Sequence, residues 1–392
     1  MGILLMNIVA FALPQSAYFN PLGSGHRGDA DLWSWAIAFV FVDGKMRGLF
    51  SLLFGASTLL VIERAEAAGH SGAAAHYARM ATLFVLGCLH FTLLWWGDIL
   101  YLYAIVGMLA FPFVRRSNRA LVATAIALFA VSLLFYAVTA LGLYGLATAA
   151  AQPGPDAATR EAWHGVVEGF GAPGSVEIAR EIALHRGSWA SLVADRLHNR
   201  TSDAALILLM NGLETLGLFL LGMWGYRSGF LTGTWGAARY RRWAAVAYAL
   251  SVPPLALLAA LIWSRGFDPF TVFAAGFAGA APFRLVMVIA HASLIMLVLR
   301  EAPGPMVERV AAAGRMAFTN YIATSLVMTT AFYGYGLGLF GALSRWQIYL
   351  VCVPMWALML LWSKPWLDRF RYGPLEWLWR SMAKGKWQQL KK

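Results

Sequence analysis

The stretch GCLHFTLLWWGDILYLYAIVG, Gly87–Gly107, decides how the chain reads. It is oily enough to cross a membrane, yet it carries His90 and Asp98. A helix needs about 20 residues to span a bilayer, and Gly97–Asp98 falls where one span ends and the next begins. Asp98 is then placed to accept the free N–H groups of the second helix. His90 lies about two turns deeper in the first. Eight residues along a continuous helix rise about 12 Å. That spacing predicts that His90 and Asp98 share one outward-facing cavity, or a bridging water, without a direct hydrogen bond.

The rest of the chain is built the same way. It has 392 residues, 60% hydrophobic and only 13% charged, against about 45–50% and about 25% in soluble domains. So few charges cannot cover a soluble globule, and the reading is an all-α, polytopic transmembrane bundle. Apolar runs of spanning length lie near 2–19, 44–62, 80–96, 99–114, 120–146, 204–226, 243–263, 283–299, 314–333 and 346–363. The segment 31–42 reads as a short interfacial or pore-side helix. The Gly/Ala/Phe run 270–282 reads as a re-entrant piece or the start of the eighth span. This gives N-terminal membrane helices over 1–148, a helical extracytoplasmic loop over 149–202, C-terminal membrane helices over 203–364 and an interfacial tail over 365–392. The first span meets Pro14 after thirteen residues, so it either runs on to about Phe19 or starts short.

Charge placement sets orientation. Arg64, Arg79, Arg115, Arg116, Arg119, Arg227, Arg239, Arg241, Arg242, Arg300, Arg309 and Arg315 fall on one side, with five of the six lysines in the tail. Positive loops stay inside, which predicts a bacterial inner-membrane protein with both termini cytoplasmic. The net charge of +12 is therefore an orientation signal and no sign of a nucleic-acid partner. The tail, with Pro374 at the first helical position and Glu376 in the first turn, suits a lipid surface: Trp366, Trp377, Trp379 and Trp387 form an aromatic belt and the lysines meet anionic headgroups. Cys88 and Cys352 lie in apolar runs, so no disulfide framework and no metal site is expected.

Ionisable groups inside spans cost roughly 2.5–3.5 kcal/mol each on insertion scales and need a reason. His90, Asp98 and Glu214 are the candidate catalytic groups. Glu214 sits near the middle of the sixth span, with Asn211 one turn before it on the same face. Arg284 and His291 share a face of the eighth span, and Thr319, Asn320 and Thr324 continue a polar stripe into the ninth. Arg284, His291 and Asn320 are the candidate substrate-binding groups. Each has a structural alternative: helix cap for Asp98, snorkelling for Arg284, helix-to-helix glue for Asn320.

The motifs LGCLHFTLLWWGDILYLYAIVG, RGLFSLLFGAS, GRMAFTNYIATSL, FYGYGLGLFG and RYGPLEWLWRSM, in this order, resemble the YeiB-like family of bacterial inner-membrane proteins of unknown function. That family is grouped with membrane acyltransferases, in which an intramembrane histidine acts as base for acyl transfer from a coenzyme A thioester. The resemblance makes His90 the equivalent position. It also implies a charged D-x-x-R-G segment before GILLMNI, which this sequence does not contain.

Two functions follow as expectations. In the first, an acyl group passes from acetyl-CoA or another acyl-CoA to an extracytoplasmic glycan or lipid. His90 is the base, Asp98 or Glu214 orients it through water, and Arg284 holds an anionic substrate. No resident cofactor is expected. The alternative is a proton-coupled transporter of a small molecule or lipid intermediate, with Glu214 and His291 as coupling groups. The absence of a visible internal repeat weighs against it. A non-enzymatic scaffold leaves Glu214 and His291 unexplained. Membrane lipids are partners in each case, and a homo-oligomer stays open.

Overall fold

The computed structural model describes residues 1–172, 174–301 and 304–392. Among these the chain is helical, with one isolated β-bridge between Phe370 and Lys391. The helices are α1 Gly2–Ala12, α2 Asp29–Phe41, α3 Lys45–Ala67, α4 Gly72–Leu93, α5 Leu100–Ala110, α6 Asn118–Ala150, α7 Ala157–Gly169, α8 Val176–His185, α9 Trp189–His198, α10 Thr201–Arg227, α11 Ala237–Ser264, the one-turn α12 Pro269–Thr271, α13 Ala281–Glu301, α14 Pro305–Arg315, α15 Ala317–Phe332, α16 Arg345–Arg369 and α17 Pro374–Ala383. Each run expected to span coincides with a helix. Six helical stretches are long and apolar enough to cross a membrane: Asp29–Ala67, α6, α10, α11, α13 and α16, with shorter apolar helices beside them.

The differences from expectation are local. The first run stops at Ala12, and a 3-10 turn over Gln15–Tyr18 follows Pro14. The chain at 31–42 belongs to α2, which meets α3 at a break where Gly44 takes a left-handed φ of 73°. A Cβ there would lie 2.3 Å from Arg284 Cδ, so both the backbone and the neighbour demand glycine. The run 270–282 begins with α12 and continues as a π-helix over Val272–Gly279, which leads directly into α13.

Without a hydrophobic drive between helices in lipid, close packing at small residues does the holding. Helices α3 and α10 meet this way. A Cβ on Gly55 would lie 2.0 Å from the Phe219 carbonyl, and one on Gly222 would lie 2.1 Å from the Leu52 carbonyl. Helices α4 and α5 do the same, with Gly87 against the Tyr101 amide. The largest core gathers Phe11, Phe54, Leu83, Trp95, Leu102, Tyr103 and Phe219 among others, from α1, α3, α4, α5 and α10. A second core joins α2, α11, α13 and the π-helix through Trp35, Phe267 and Met287.

Two outlying pieces close the ends of the bundle. Helices α8 and α9, capped by Ser175 and Ser188, form a cap over one end. The tail helix α17 is turned inward: Trp379 donates to the Arg79 carbonyl at 3.0 Å, and the Arg79 guanidinium covers its ring at 4.3 Å. Glu376 accepts the amides of Phe318 and Thr319 at 2.7 and 3.1 Å, and so caps α15 from outside. Of the belt tryptophans, Trp387 is the one left exposed, at 72%.

Enlarging the tight α3–α10 contact tests this packing. Gly222→Leu is expected to cost about 1–3 kcal/mol or more through overpacking. Thermal unfolding in detergent checks it, with Gly142→Leu, whose added Cβ meets nothing within 4 Å, as the neutral control.

Candidate active site

His90 lies in the last turn of α4, and the helix ends three residues later because the amides of Leu94 and Trp95 both turn back to the His90 carbonyl, at 3.0 and 2.9 Å. Gly97 lets the chain reverse beside the indole of Trp95, where a Cβ would sit 2.4 Å from the ring. The reversal carries Asp98 back alongside α4. The expectation of no direct contact is therefore corrected: His90 Nδ1 and Asp98 Oδ2 are 2.6 Å apart. The 12 Å estimate assumed a continuous helix, and the helix does not continue.

Asp98 does two jobs with one carboxylate. Its Oδ1 accepts the amides of Leu100 at 2.7 Å and Tyr101 at 3.1 Å, which is the helix-capping role expected from sequence. Its Oδ2 takes the imidazole. Both side chains are sealed, with His90 3% and Asp98 0% exposed. A carboxylate on one ring nitrogen favours the tautomer with the proton on that nitrogen and leaves the other as the base. Here that other nitrogen, Nε2, is buried without a hydrogen-bond partner. The rings of Tyr321 and Trp95 flank the imidazole at 5.2 and 6.4 Å between centroids.

A cavity of about 1450 Å³ reaches Ile99, Leu100 and Tyr321, the residues beside the pair. Phe11, Phe50, Phe54, Leu83 and Met359 give it apolar walls, and Arg64, Arg79, Arg315, Arg380, Lys384 and Lys386 line it at its other end. Those cations belong to the side read from sequence as inner. The outward-facing cavity that was expected is therefore corrected as well: the space opens toward the basic end, and the cap covers the opposite one. The polar residues alone carried no sign of which way the space ran.

The cap is fastened to the helix that carries His90. Arg196 Nη1 donates to the Thr92 carbonyl at 3.1 Å and Trp189 Nε1 to the Leu93 carbonyl at 2.7 Å, so two end carbonyls of α4 find partners in the cap. Nearby, His185 stacks on Phe340 with centroids 4.2 Å apart, and its Nδ1 meets the Glu181 carbonyl at 2.9 Å.

Glu214 and Arg284 form a separate centre. Arg284 Nη2 reaches Glu214 Oε2 at 2.7 Å, and Arg47 Nη2 reaches Oε1 at 3.2 Å, with Arg47 Nη1 on Thr215 at 3.0 Å. Lys45, 2% exposed, turns its ammonium onto the Phe39 carbonyl. The carboxylate is thus clamped between two guanidiniums, and Arg284, expected to snorkel or to hold substrate, turns Nη2 to Glu214 and leaves its buried Nε without a hydrogen-bond partner. Asn211 instead bonds its own helix at Ile207. His291 is committed at both nitrogens, to the Tyr248 hydroxyl at 2.8 Å and the Phe41 carbonyl at 2.9 Å. Asn320 ties α14, α15 and α16 through the Ala313 carbonyl, Ser363 and Trp362.

The structure thus brings His90 to Asp98 and Glu214 to Arg284, and leaves His291 and Asn320 apart from both. The sequence reading missed Arg47, Lys45, Trp95 and Tyr321. Arg47 carried a usable signal, a fixed charge inside a predicted span. Tyr321 sits in the GRMAFTNYIATSL motif but has no charge to mark it.

Fold and site define a polytopic helical membrane protein with a buried histidine–aspartate pair beside an internal cavity. The chain belongs to the YeiB-like family. It is 33% identical over 392 residues to "Uncharacterized protein YeiB" of Escherichia coli strain K12, covering 98% of this chain and 93% of that protein. It is 28% identical over 424 residues to "Uncharacterized protein YxaH" of Bacillus subtilis strain 168, covering 100% and 93%. Residues 225–386 match the family described as "Protein of unknown function (DUF418)", a range that holds Arg284, His291 and Asn320 but neither His90 nor Asp98. No solved structure matches the chain.

Two outcomes follow from these networks. Glu214→Gln leaves two buried guanidiniums facing a neutral amide, and removing one partner of a buried ion pair costs about 3–5 kcal/mol. The loss read in a detergent unfolding titration should be less than additive with that of Arg284→Gln. In the cap, burial pushes the His185 imidazole from its ordinary 6.5 down to about 4. A free cap then binds a proton that the docked cap refuses, so docking weakens as pH falls from about 6.5 to about 4, by about 3 kcal/mol at most. Burial raises the Glu181 carboxyl, which offsets part of this in the lower half of the window. Hydrogen exchange across α8–α9 should quicken over that range, and His185→Phe should flatten the response.

Proposed function

We propose that this protein transfers an acyl group from a coenzyme A thioester to the hydroxyl of a glycan or lipid, with His90 as general base. The observation that carries the reading is the buried His90–Asp98 pair, in which Asp98 occupies Nδ1 and Nε2 has no protein partner. A base must reach the proton it removes and must be held in the right tautomer. Asp98 supplies that orientation, and its own position is fixed by the two α5 amides it accepts.

The chemistry runs in two proton movements. His90 Nε2 takes the proton of the acceptor hydroxyl while the oxygen forms a bond to the thioester carbonyl carbon. The C–S bond then breaks, and the imidazolium returns its proton to the departing thiolate. The cavity supports the donor assignment. Its basic end suits the phosphates of coenzyme A, and its apolar walls suit an acyl arm reaching toward Tyr321 and the pair. We place the basic end at the cytoplasmic face of an inner membrane, by the positive-inside rule, with both termini on that side.

The transport alternative relied on Glu214 and His291. Glu214 is held by two guanidiniums, and both His291 nitrogens are hydrogen-bonded. Neither offers a free group for coupling, whereas His90 does.

Purified protein in nanodiscs should release free thiol from acetyl-CoA when given a crude lipid and glycan extract. His90→Ala should lose this turnover, and Asp98→Asn, which removes the group that sets the tautomer, should lower it by up to about 10⁴-fold. Folded wild-type protein that neither binds nor turns over the thioester would defeat the reading.

A further inference from the structure

We infer that Tyr321 and Trp95 supply the hydrogen-bond donors that hold the developing oxyanion of the acyl group while His90 acts as base. The assignment rests on the acyl-transfer reading and extends it to residues outside the histidine–aspartate pair.

Three atoms around the imidazole share one property. His90 Nε2, the Tyr321 hydroxyl and Trp95 Nε1 are all buried and none closes a hydrogen bond among the described residues, with the Tyr321 hydroxyl turned toward Asp98 and the Ile99 backbone. Buried polar groups are nearly always satisfied, and a cluster of exceptions asks for an explanation. The three are chemically complementary. Nε2 is an acceptor when Nδ1–H faces Asp98, the indole N–H is donor only, and the phenol can donate. A base flanked by two idle donors is what acyl transfer needs: one atom to take a proton from the nucleophile, and donors for the carbonyl oxygen as it gains charge.

Placement supports this. Tyr321 projects from α15, lines the cavity wall and stands 5.2 Å from the His90 ring. Trp95 lies on the other flank at 6.4 Å, and its ring is held by stacking on Phe11 at 4.0 Å between centroids. Tyr321, Trp95 and His90 come from α15, the α4–α5 reversal and α4, so their convergence is tertiary. Asn320, one residue earlier, has its amide committed to α14 and α16, which fixes the turn of helix that presents Tyr321.

The electron balance is closed within the transfer. As the acceptor oxygen bonds to the carbonyl carbon, the C=O π pair moves onto the carbonyl oxygen and is received by the Tyr321 O–H and Trp95 N–H. When the C–S bond breaks the pair returns to re-form C=O, and the thiolate leaves with the proton from His90. Neither donor changes its protonation state.

The test is steady-state acyl transfer by the full-length protein in nanodiscs with acetyl-CoA, comparing wild type, Tyr321→Phe and Trp95→Phe. Tyr321→Phe keeps the ring and removes the hydroxyl, whereas Trp95→Phe removes the N–H together with part of the bicyclic ring that stacks on Phe11. Deleting one oxyanion donor typically lowers kcat by about 10²–10³-fold. Tyr321→Phe should show a loss of that order with KM for acetyl-CoA, affinity for a non-reactive thioether analogue and the pH profile unchanged. A kcat within threefold of wild type would overturn the assignment and leave the base reading standing. A loss accompanied by a shifted pH profile would also overturn it, since that marks Tyr321 as holding Asp98 in place. Wild-type protein inert toward the thioester would remove the acyl-transfer reading and the donor assignment together, and Trp95→Phe should lower kcat by a similar factor, an unchanged kcat removing Trp95 from the assignment.

Discussion

A carboxylate and an imidazole buried inside the protein have to satisfy each other, and the 2.6 Å hydrogen bond between Asp98 and His90 does so at the point where α4 and α5 join. One carboxylate ends the disorder of three donors: the ring nitrogen and the first free amides of α5. Because both side chains are sealed from solvent, the helix break, the return of the chain at Gly97 and the close approach of α5 to Gly87 are linked to it. The cap adds to the same junction by taking the Thr92 and Leu93 carbonyls. The histidine is therefore fixed by the architecture of its own hairpin, and Nε2 is the part of the pair left without a hydrogen-bond partner.

The second charged centre obeys the same constraint with a different result. Glu214, Arg47 and Arg284 join α10, α3 and α13 at the break between α2 and α3. Both oxygens of the carboxylate are used, so this centre pins helices together. Comparing the two centres separates structural from chemical roles: a buried carboxylate with both oxygens held by guanidiniums joins helices, and a buried base with one nitrogen idle beside a cavity is equipped for chemistry.

Much of the architecture was legible in the sequence. Hydropathy and punctuation located a helix at each expected span, because the length of an apolar run and the charges that end it are local properties. The capping role of Asp98 was legible for the same reason, since an acidic residue just before a helix acts on amides two and three residues away. The His90–Asp98 contact was not legible. It depends on how sharply the chain turns between Trp95 and Asp98, which spacing along one helix misrepresents. The pairing of Glu214 with Arg47 was hidden by a sequence separation of 167 residues. Tyr321 and Trp95 were hidden by their chemistry: both are ordinary in apolar spans, and only their place against the His90 ring in the folded protein sets them apart. The direction of the cavity depended on which helix ends splay, a property of packing that residue types do not report.

The central claim is that Asp98 holds His90 with its proton on Nδ1 and its Nε2 free to act as base. The most direct measurement is nitrogen NMR of the protein in nanodiscs with ¹⁵N-labelled histidine, assigning the His90 ring by its loss in His90→Gln. The account predicts a hydrogen-bonded Nδ1–H and a bare Nε2 in the wild type, with that tautomer preference lost in Asp98→Asn. A wild-type ring that carries its proton on Nε2, or one whose tautomer does not respond to Asp98→Asn, would contradict it.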